Sequence, residues 1–228
     1  MILDMNKIEK RSGLIAGISL IIMAIAAGFS YGYVHSSLMG ENPLATAQNL
    51  ANNSGLFLAG IAGWIVIIIT DIIVALSLCK FFKSINQKIS RLTAAVRLIY
   101  TVFLILAVYQ LVAISYIETP TFFANDIVTY LDRFEQIWSF GLILFGLHLI
   151  GLGYLSVKSV NVPKLLGYLL YLAGFLYTVA HVIKQNSVLD IETFQNIENV
   201  TALPMALGEM LLAVWLIYKG VKRSKKVE

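Results

Sequence analysis

Asp71, Arg97, His148 and Glu209 each stand inside a run of Ile, Leu, Val, Ala and Gly, where an ionisable group is out of place. Their types suit a short list of chemistries. An Asp–Arg pair makes charge-assisted hydrogen bonds that a bound ligand can perturb. A Glu beside a His can accept and release a proton, and a carboxylate held away from water can serve as a general acid or base. In hydrocarbon such a residue costs about 2.5–3.5 kcal/mol even on the lenient insertion scale, so it faces the bundle interior and finds a partner.

The composition requires hydrocarbon. The chain has 228 residues, of which 58% are apolar and only 13% charged, with a mean hydropathy of +0.80. Soluble chains run to roughly 45–50% apolar and about 25% charged. Disorder, a coiled coil and a collagen-like repeat are excluded by the same figures, and a single Cys excludes a disulfide scaffold. The class that remains is an all-α, polytopic membrane protein.

A spanning helix needs roughly 20 mainly apolar residues. Such runs occur at Gly13–Val34, Gly55–Leu78, Leu92–Tyr116, Ile137–Val157, Leu165–Ile183 and Leu203–Tyr218, the last one short enough that Val200 to Ala202 are expected to extend it. None alternates with period two, so a barrel is not indicated. The expectation is a six-helix bundle forming a single domain over residues 1–228.

Orientation follows the basic residues. All Lys and Arg except Arg133 and Lys184 fall on one side or just inside it, while Glu41, Glu118, Asp126, Asp132, Glu135, Asp190, Glu192 and Glu198 fall on the other. Both termini are therefore expected in the cytoplasm. The formal charge of +4 sets topology, and nucleic acid is not an expected partner. The expected partners are the lipid bilayer and, at Lys219, Lys222, Arg223, Lys225 and Lys226, anionic head groups. Lys7, Lys10 and Arg11 before an apolar stretch imitate a signal peptide. The stretch runs on past Ala26 through Phe29, Tyr31 and Tyr33, which favours an uncleaved first helix. The outer links are His35–Ser54, Ile117–Gln136 and Lys184–Thr201. Phe123–Gln136 carries Phe123, Ile127, Tyr130 and Phe134 at helical spacing, suited either to the outer leaflet or to packing on the bundle top.

Counting from the basic edge at about 1.5 Å per residue, Asp71 lies about 13–14 Å deep, Arg97 about 9 Å, and His148 and Glu209 about 15 Å. A layer of titratable groups from separate helices is the result. Asp71 shares its stripe with Gly60, Gly63, Ile67 and Ala75; His148 with Gly141, Leu144 and Gly151; Glu209 with Met205, Ala206 and Ala213. Small residues on these faces permit close helix approach. Tyr100 and Thr101, one turn beyond Arg97, can hydrogen-bond in the same layer.

Each residue also has a plainer reading. Asp71 and Arg97 can be an ion pair that fixes helix register, and His148 with Glu209 a structural hydrogen bond from the ring N–H to the carboxylate. Desolvation disfavours the charged form of a carboxyl without a cation, so Glu209 is expected to be able to hold a proton. The convergence of these groups exceeds what one register pin requires, and the balance falls towards a working site. Other signals are weak. His148 and His181 are about 10 Å apart along the membrane normal by helical rise, too far to clasp one haem iron. No zinc spacing, phosphate-cradling glycine loop or hydrolase motif is present, and no cofactor is implied. Gly13/Gly17 and Gly28/Gly32 are spaced as G-x-x-x-G, which helix packing accounts for.

Several stretches together resemble a family of bacterial integral membrane proteins known as domain of unknown function 4386. They are Arg11-Ser12-Gly13-Leu14-Ile15-Ala16-Gly17, Asp71-Ile72-Ile73-Val74-Ala75-Leu76, Ala94-Ala95-Val96-Arg97-Leu98, Phe145-Gly146-Leu147-His148-Leu149-Ile150-Gly151, Pro163-Lys164-Leu165-Leu166-Gly167 and Leu207-Gly208-Glu209-Met210. The resemblance implies that the family's own Asp, Arg, His and Glu positions fall on Asp71, Arg97, His148 and Glu209, and it implies no activity. The residues point first to a small-solute or proton-linked binding or transport protein of a bacterial inner membrane. A membrane-embedded enzyme acting on a lipid or isoprenoid is the alternative, and a structural or accessory subunit the third. The residue types do not name the small-molecule ligand.

Overall fold

The computed structural model describes residues 6–186 and 191–222, with side chains described throughout except for 191–205. The described residues are helical and contain no strand. Helix α1 spans Lys7–Ala27 and runs on as a π-helical stretch, Gly28–His35, into the short α2, Ser36–Leu38. Then follow α3 (Pro43–Asn52), α4 (Ser54–Phe81), α5 (Gln87–Ile114), α6 (Ala124–Lys158), α7 (Lys164–Gln185) and α8 (Ile191–Val221). Among the described residues, five segments, Lys7–Leu38, Ser54–Phe81, Gln87–Ile114, Ala124–Lys158 and Lys164–Gln185, are long and apolar enough to cross a bilayer.

Local chemistry sets the helix starts. Asn6 caps α1 in a reciprocal box with Glu9: the Asn6 side chain accepts from the Glu9 amide at 2.9 Å, and the Asn6 amide donates to the Glu9 carboxylate at 3.0 Å. Asn42 caps α3 ahead of Pro43, and Asn86 caps α5 by accepting from the Ile89 amide. Pro163 stands immediately before α7.

The long helices close a ring in chain order. α1 packs on α4, α4 on α5, α5 on α6, α6 on α7, α7 on α8, and α8 returns to α1. Glycines allow the closest approaches. Gly146 on α6 faces Gly174 on α7 so tightly that a Cβ on either would lie within 2.7 Å of the other's carbonyl oxygen. Gly17 meets the Ala213 backbone of α8 in the same manner. Gly28 and Gly32 differ: among the described residues nothing lies within 4 Å of a Cβ placed there, so packing against described neighbours does not account for that pair. They belong instead to the π-helical stretch.

Burial is inverted relative to a soluble bundle. Ile25, Leu58, Ile69, Leu106, Phe175 and Val214 are exposed on the outside, whereas Asp71, Arg97 and His148 are at most 1% exposed. An apolar exterior of this kind is solvated by acyl chains. At one end of the bundle the Glu9 carboxylate accepts from the Ser84 hydroxyl at 2.7 Å, and Gly220 abuts Leu14 and the Lys10 backbone, so the start of α1, the end of α4 and the end of α8 meet there.

The structure gives two of the outer segments a definite form. Phe123–Gln136 is not a separate surface helix. From Ala124 it is the first third of α6, because Ile127, Leu131 and Phe134 continue the buried stripe that reaches Ser139 and Leu142. The link after His35 does contain a short helix, α3, which packs on α6 through a face that includes Thr46, Ala47 and Leu50. The helical backbone of α8 includes Val200 to Ala202. The Glu192, Glu198 and Met205 side chains, Asp190, and the tail residues Arg223, Lys225 and Lys226 lie outside the described residues.

Candidate functional site

Arg97 occupies the centre of the ring. It projects from the buried stripe of α5, Ser90–Thr93–Ala94–Arg97–Tyr100–Thr101–Leu104, whose spacing of three and four keeps one helix face inward. Its Nε donates to Asp71 Oδ1 on α4 at 2.8 Å, and Nη2 lies 2.7 Å from the same oxygen. Nη1 donates to Glu209 Oε1 on α8 at 2.6 Å and lies 3.1 Å from His148 Nε2 on α6. Nη2 also points at Met23 Sδ of α1, 3.4 Å away, and the guanidinium lies 5.2 Å from the centroid of the Phe145 ring. One side chain thus ties α1, α4, α6 and α8 to α5.

The protonation pattern of His148 follows from its partners. Its Nδ1 is 2.9 Å from the Thr93 carbonyl oxygen, which can only accept. Its Nε2 faces a guanidinium, which can only donate. The ring is therefore neutral, with the proton on Nδ1. Gly141 and Gly151, on the same face of α6, lie against Tyr100 and Thr93, and this brings α6 close enough to α5 for both bonds.

The structure brings together Asp71, Arg97, His148 and Glu209; the Asp71–Arg97 ion pair is the expected one, and the pairing of Glu209 differs. Glu209 is not bonded to His148; its cation is Arg97, and the histidine orients the guanidinium. Thr101 does not join the cluster either, because its hydroxyl donates to the Arg97 carbonyl at 2.9 Å along its own helix. Tyr100 lies on the adjoining wall, its ring 5.1 Å from Phe145. His181 belongs to a different bond altogether, 2.9 Å from the Ser139 hydroxyl.

A cavity of about 260 Å³ adjoins the cluster. Every long helix contributes to it: Leu20 and Met23 from α1, Trp64 and Asp71 from α4, Tyr100 from α5, Trp138 and Phe145 from α6, Tyr177 from α7, and Ala206 and Glu209 from α8. Both carboxylates of the cluster reach this wall. Asp71 Oδ2 is buried and has no hydrogen-bond partner among the described residues. On the other flank of His148, the space among Ala75, Phe82, Thr93 and Leu152 has no room for a water.

Sequence reasoning missed what surrounds the cavity. Trp64 and Trp138 pack edge to face at 5.2 Å, with Tyr31 4.7 Å from Trp138 and Phe134 5.2 Å from Trp64. Beyond them His35 Nε2 lies 3.7 Å, and Lys184 Nζ 3.3 Å, from the Glu135 carboxylate. The π-helical stretch puts Tyr31 and His35 beside these groups, their rings stacked at 5.0 Å. The signal available was the concentration of aromatic residues in Phe29–Tyr33 and Phe134–Trp138, which periodicity alone does not assign to a shared cluster.

Fold and site together define a multi-pass helical membrane protein that buries a charged cluster within its bundle. The family described as "Domain of unknown function (DUF4386)" matches residues 15–220, and the chain belongs to that family. A protein of the archaeon Archaeoglobus fulgidus, described as "Uncharacterized protein", is 30% identical over 167 residues, covering 73% of this chain and 87% of its own length. No solved structure matches.

Proposed function

We propose that the protein binds a small solute within the membrane and carries it in a transport step linked to a proton, with its site at Asp71, Arg97, His148 and Glu209. The observation that supports this reading is the cavity of about 260 Å³ whose wall includes Asp71 and Glu209. A layer that only fixes packing is best dry and fully paired, because each unmet polar group in hydrocarbon costs several kcal/mol. Here an open volume adjoins the charge, and one carboxylate oxygen has no partner among the described residues. Arg97 holds the carboxylates, His148 orients Arg97, and Glu209, the most exposed of the four at 8%, exchanges the proton. Tyr100 shapes the wall, and Thr101 steadies the helix beneath Arg97.

The membrane arrangement belongs to the same reading. It is one six-span domain, with α8 as the sixth span and both termini in the cytoplasm of a bacterial inner membrane. The meeting of the α1 start with the ends of α4 and α8 supports it, as does the concentration of Lys and Arg at that end. Lys219, Lys222 and the basic residues after them contact anionic head groups.

A metabolite and lipid screen by thermal shift, run in parallel on the native protein and on Glu209→Gln, His148→Ala and Asp71→Asn, tests the proposal. A ligand that stabilises the native protein and loses its effect in these variants is the expected result. If every substitution lowers stability and none changes a ligand response, the cluster is a packing device.

A further inference from the structure

We propose that the ligand of this cavity is a small organic cation, an alkylammonium or quaternary ammonium compound. It sits between the Asp71 carboxylate and an aromatic wall. The inference rests on the binding reading above and assigns its ligand class.

Charge is the first argument. With His148 held neutral by Thr93 and Arg97, the cluster sets one guanidinium against the carboxylates of Asp71 and Glu209. Both contacts from Arg97 to Asp71 fall on Oδ1. Among the described residues Oδ2 has no hydrogen-bond partner, on a residue that is 1% exposed and lines the cavity. A buried carboxylate oxygen in that state is completed by a donor or a cation and repels an anion. No Lys and no Arg is among the described residues that line the cavity.

The wall is the second argument. Trp64, Tyr100, Trp138 and Tyr177 line the same space. Their ring faces carry the negative side of the aromatic quadrupole and attract a desolvated cation. Rings joined by a carboxylate are how an ammonium is held without a full hydration shell, whereas a bare metal ion would lack the oxygen ligands it needs. Size is the third argument. A cavity of about 150 Å³ accommodates benzene, so about 260 Å³ suits a ligand of choline or phenethylammonium dimensions.

The test uses the full chain in detergent with Trp215→Phe, which leaves Trp64 and Trp138, both on the cavity wall, as fluorescent reporters. Tetramethylammonium, choline and phenethylammonium are titrated beside the uncharged isostere of choline, 3,3-dimethylbutan-1-ol, and the anion 3,3-dimethylbutyrate. At least one cation gives a saturable change, binding about tenfold or more tightly than the alcohol, and the anion gives none. Asp71→Asn weakens that cation about tenfold or more. Ala206→Phe fills the cavity from α8 without altering any charge and abolishes saturation, which covers the case in which Asp71→Asn fails to fold. If the alcohol or the anion binds as well as every cation, the cation assignment is wrong and the binding reading stands. If no probe gives a saturable response, both are wrong.

Discussion

Arg97 is where the energy of the cluster concentrates. Its guanidinium is 0% exposed and is the shared partner of Asp71 and Glu209. Replacing it by Gln leaves two carboxylates in the interior without a cation, a change that costs about 3–5 kcal/mol. The measurement is the unfolding free energy in mixed detergent. Arg97→Lys restores little, because a point charge does not reproduce a planar fork that reaches four other helices. The Asp71→Asn, Arg97→Gln double variant loses less than the sum of the single losses, since the two groups share one interaction. His148→Leu, which removes an acceptor from the guanidinium, costs about 1–3 kcal/mol, and His148→Gln recovers part of it. All four residues were legible in the sequence, because residue type and depth are properties of a single helix. So was the Asp71–Arg97 pair. The partner of Glu209 was not: His148 lies at the same depth, but which helices adjoin is a property of the closed ring, and the ring puts Arg97 within reach of both acids.

At the scale of elements, glycines decide how near the helices come. A Cβ at Gly146 or Gly174 would lie within 2.7 Å of the opposing backbone, whereas at Gly55, near the start of α4, it meets nothing within 4 Å among the described residues. Gly174→Val is therefore expected to cost at least about 1–3 kcal/mol through overpacking, and Gly55→Ala to leave stability unchanged or raise it by up to about 1 kcal/mol. Thermal melts of the two variants side by side check the contrast. The apolar runs were legible as helices because lipid leaves the backbone no other option. Their ends were less so: α6 starts well before the apolar run it contains, since a helix can extend beyond hydrocarbon wherever a buried stripe such as Ile127–Leu131–Phe134 continues. The π-helical stretch was not legible. A widened turn depends on what Tyr31 and Val34 pack against, and Trp138 and Gly60 are remote in sequence.

The whole molecule is a ring of helices with an apolar outside and a charged centre, which predicts a definite sidedness. In a Cys79→Ser background, Ser84→Cys is expected to react with an impermeant maleimide only in inverted vesicles, and Glu118→Cys only in right-side-out ones. Labelling of both from the same side would contradict the six-span arrangement. The basic bias of the links is the sequence signal on which this proposed topology rests. The cavity could not be foreseen, because an empty volume is a relation among Leu20, Trp64, Tyr100, Trp138, Tyr177 and Ala206, residues that any packed bundle would also contain.

The most direct test asks whether a charged molecule in water can reach the space beside Asp71 and Glu209. Ala24→Cys, on the cavity wall, is treated in lipid nanodiscs with cationic and anionic methanethiosulfonates of matched size. The account predicts faster modification by the cationic reagent and slowing by a quaternary ammonium compound. Equal rates that no ammonium compound changes, or no reaction with either reagent, would contradict it.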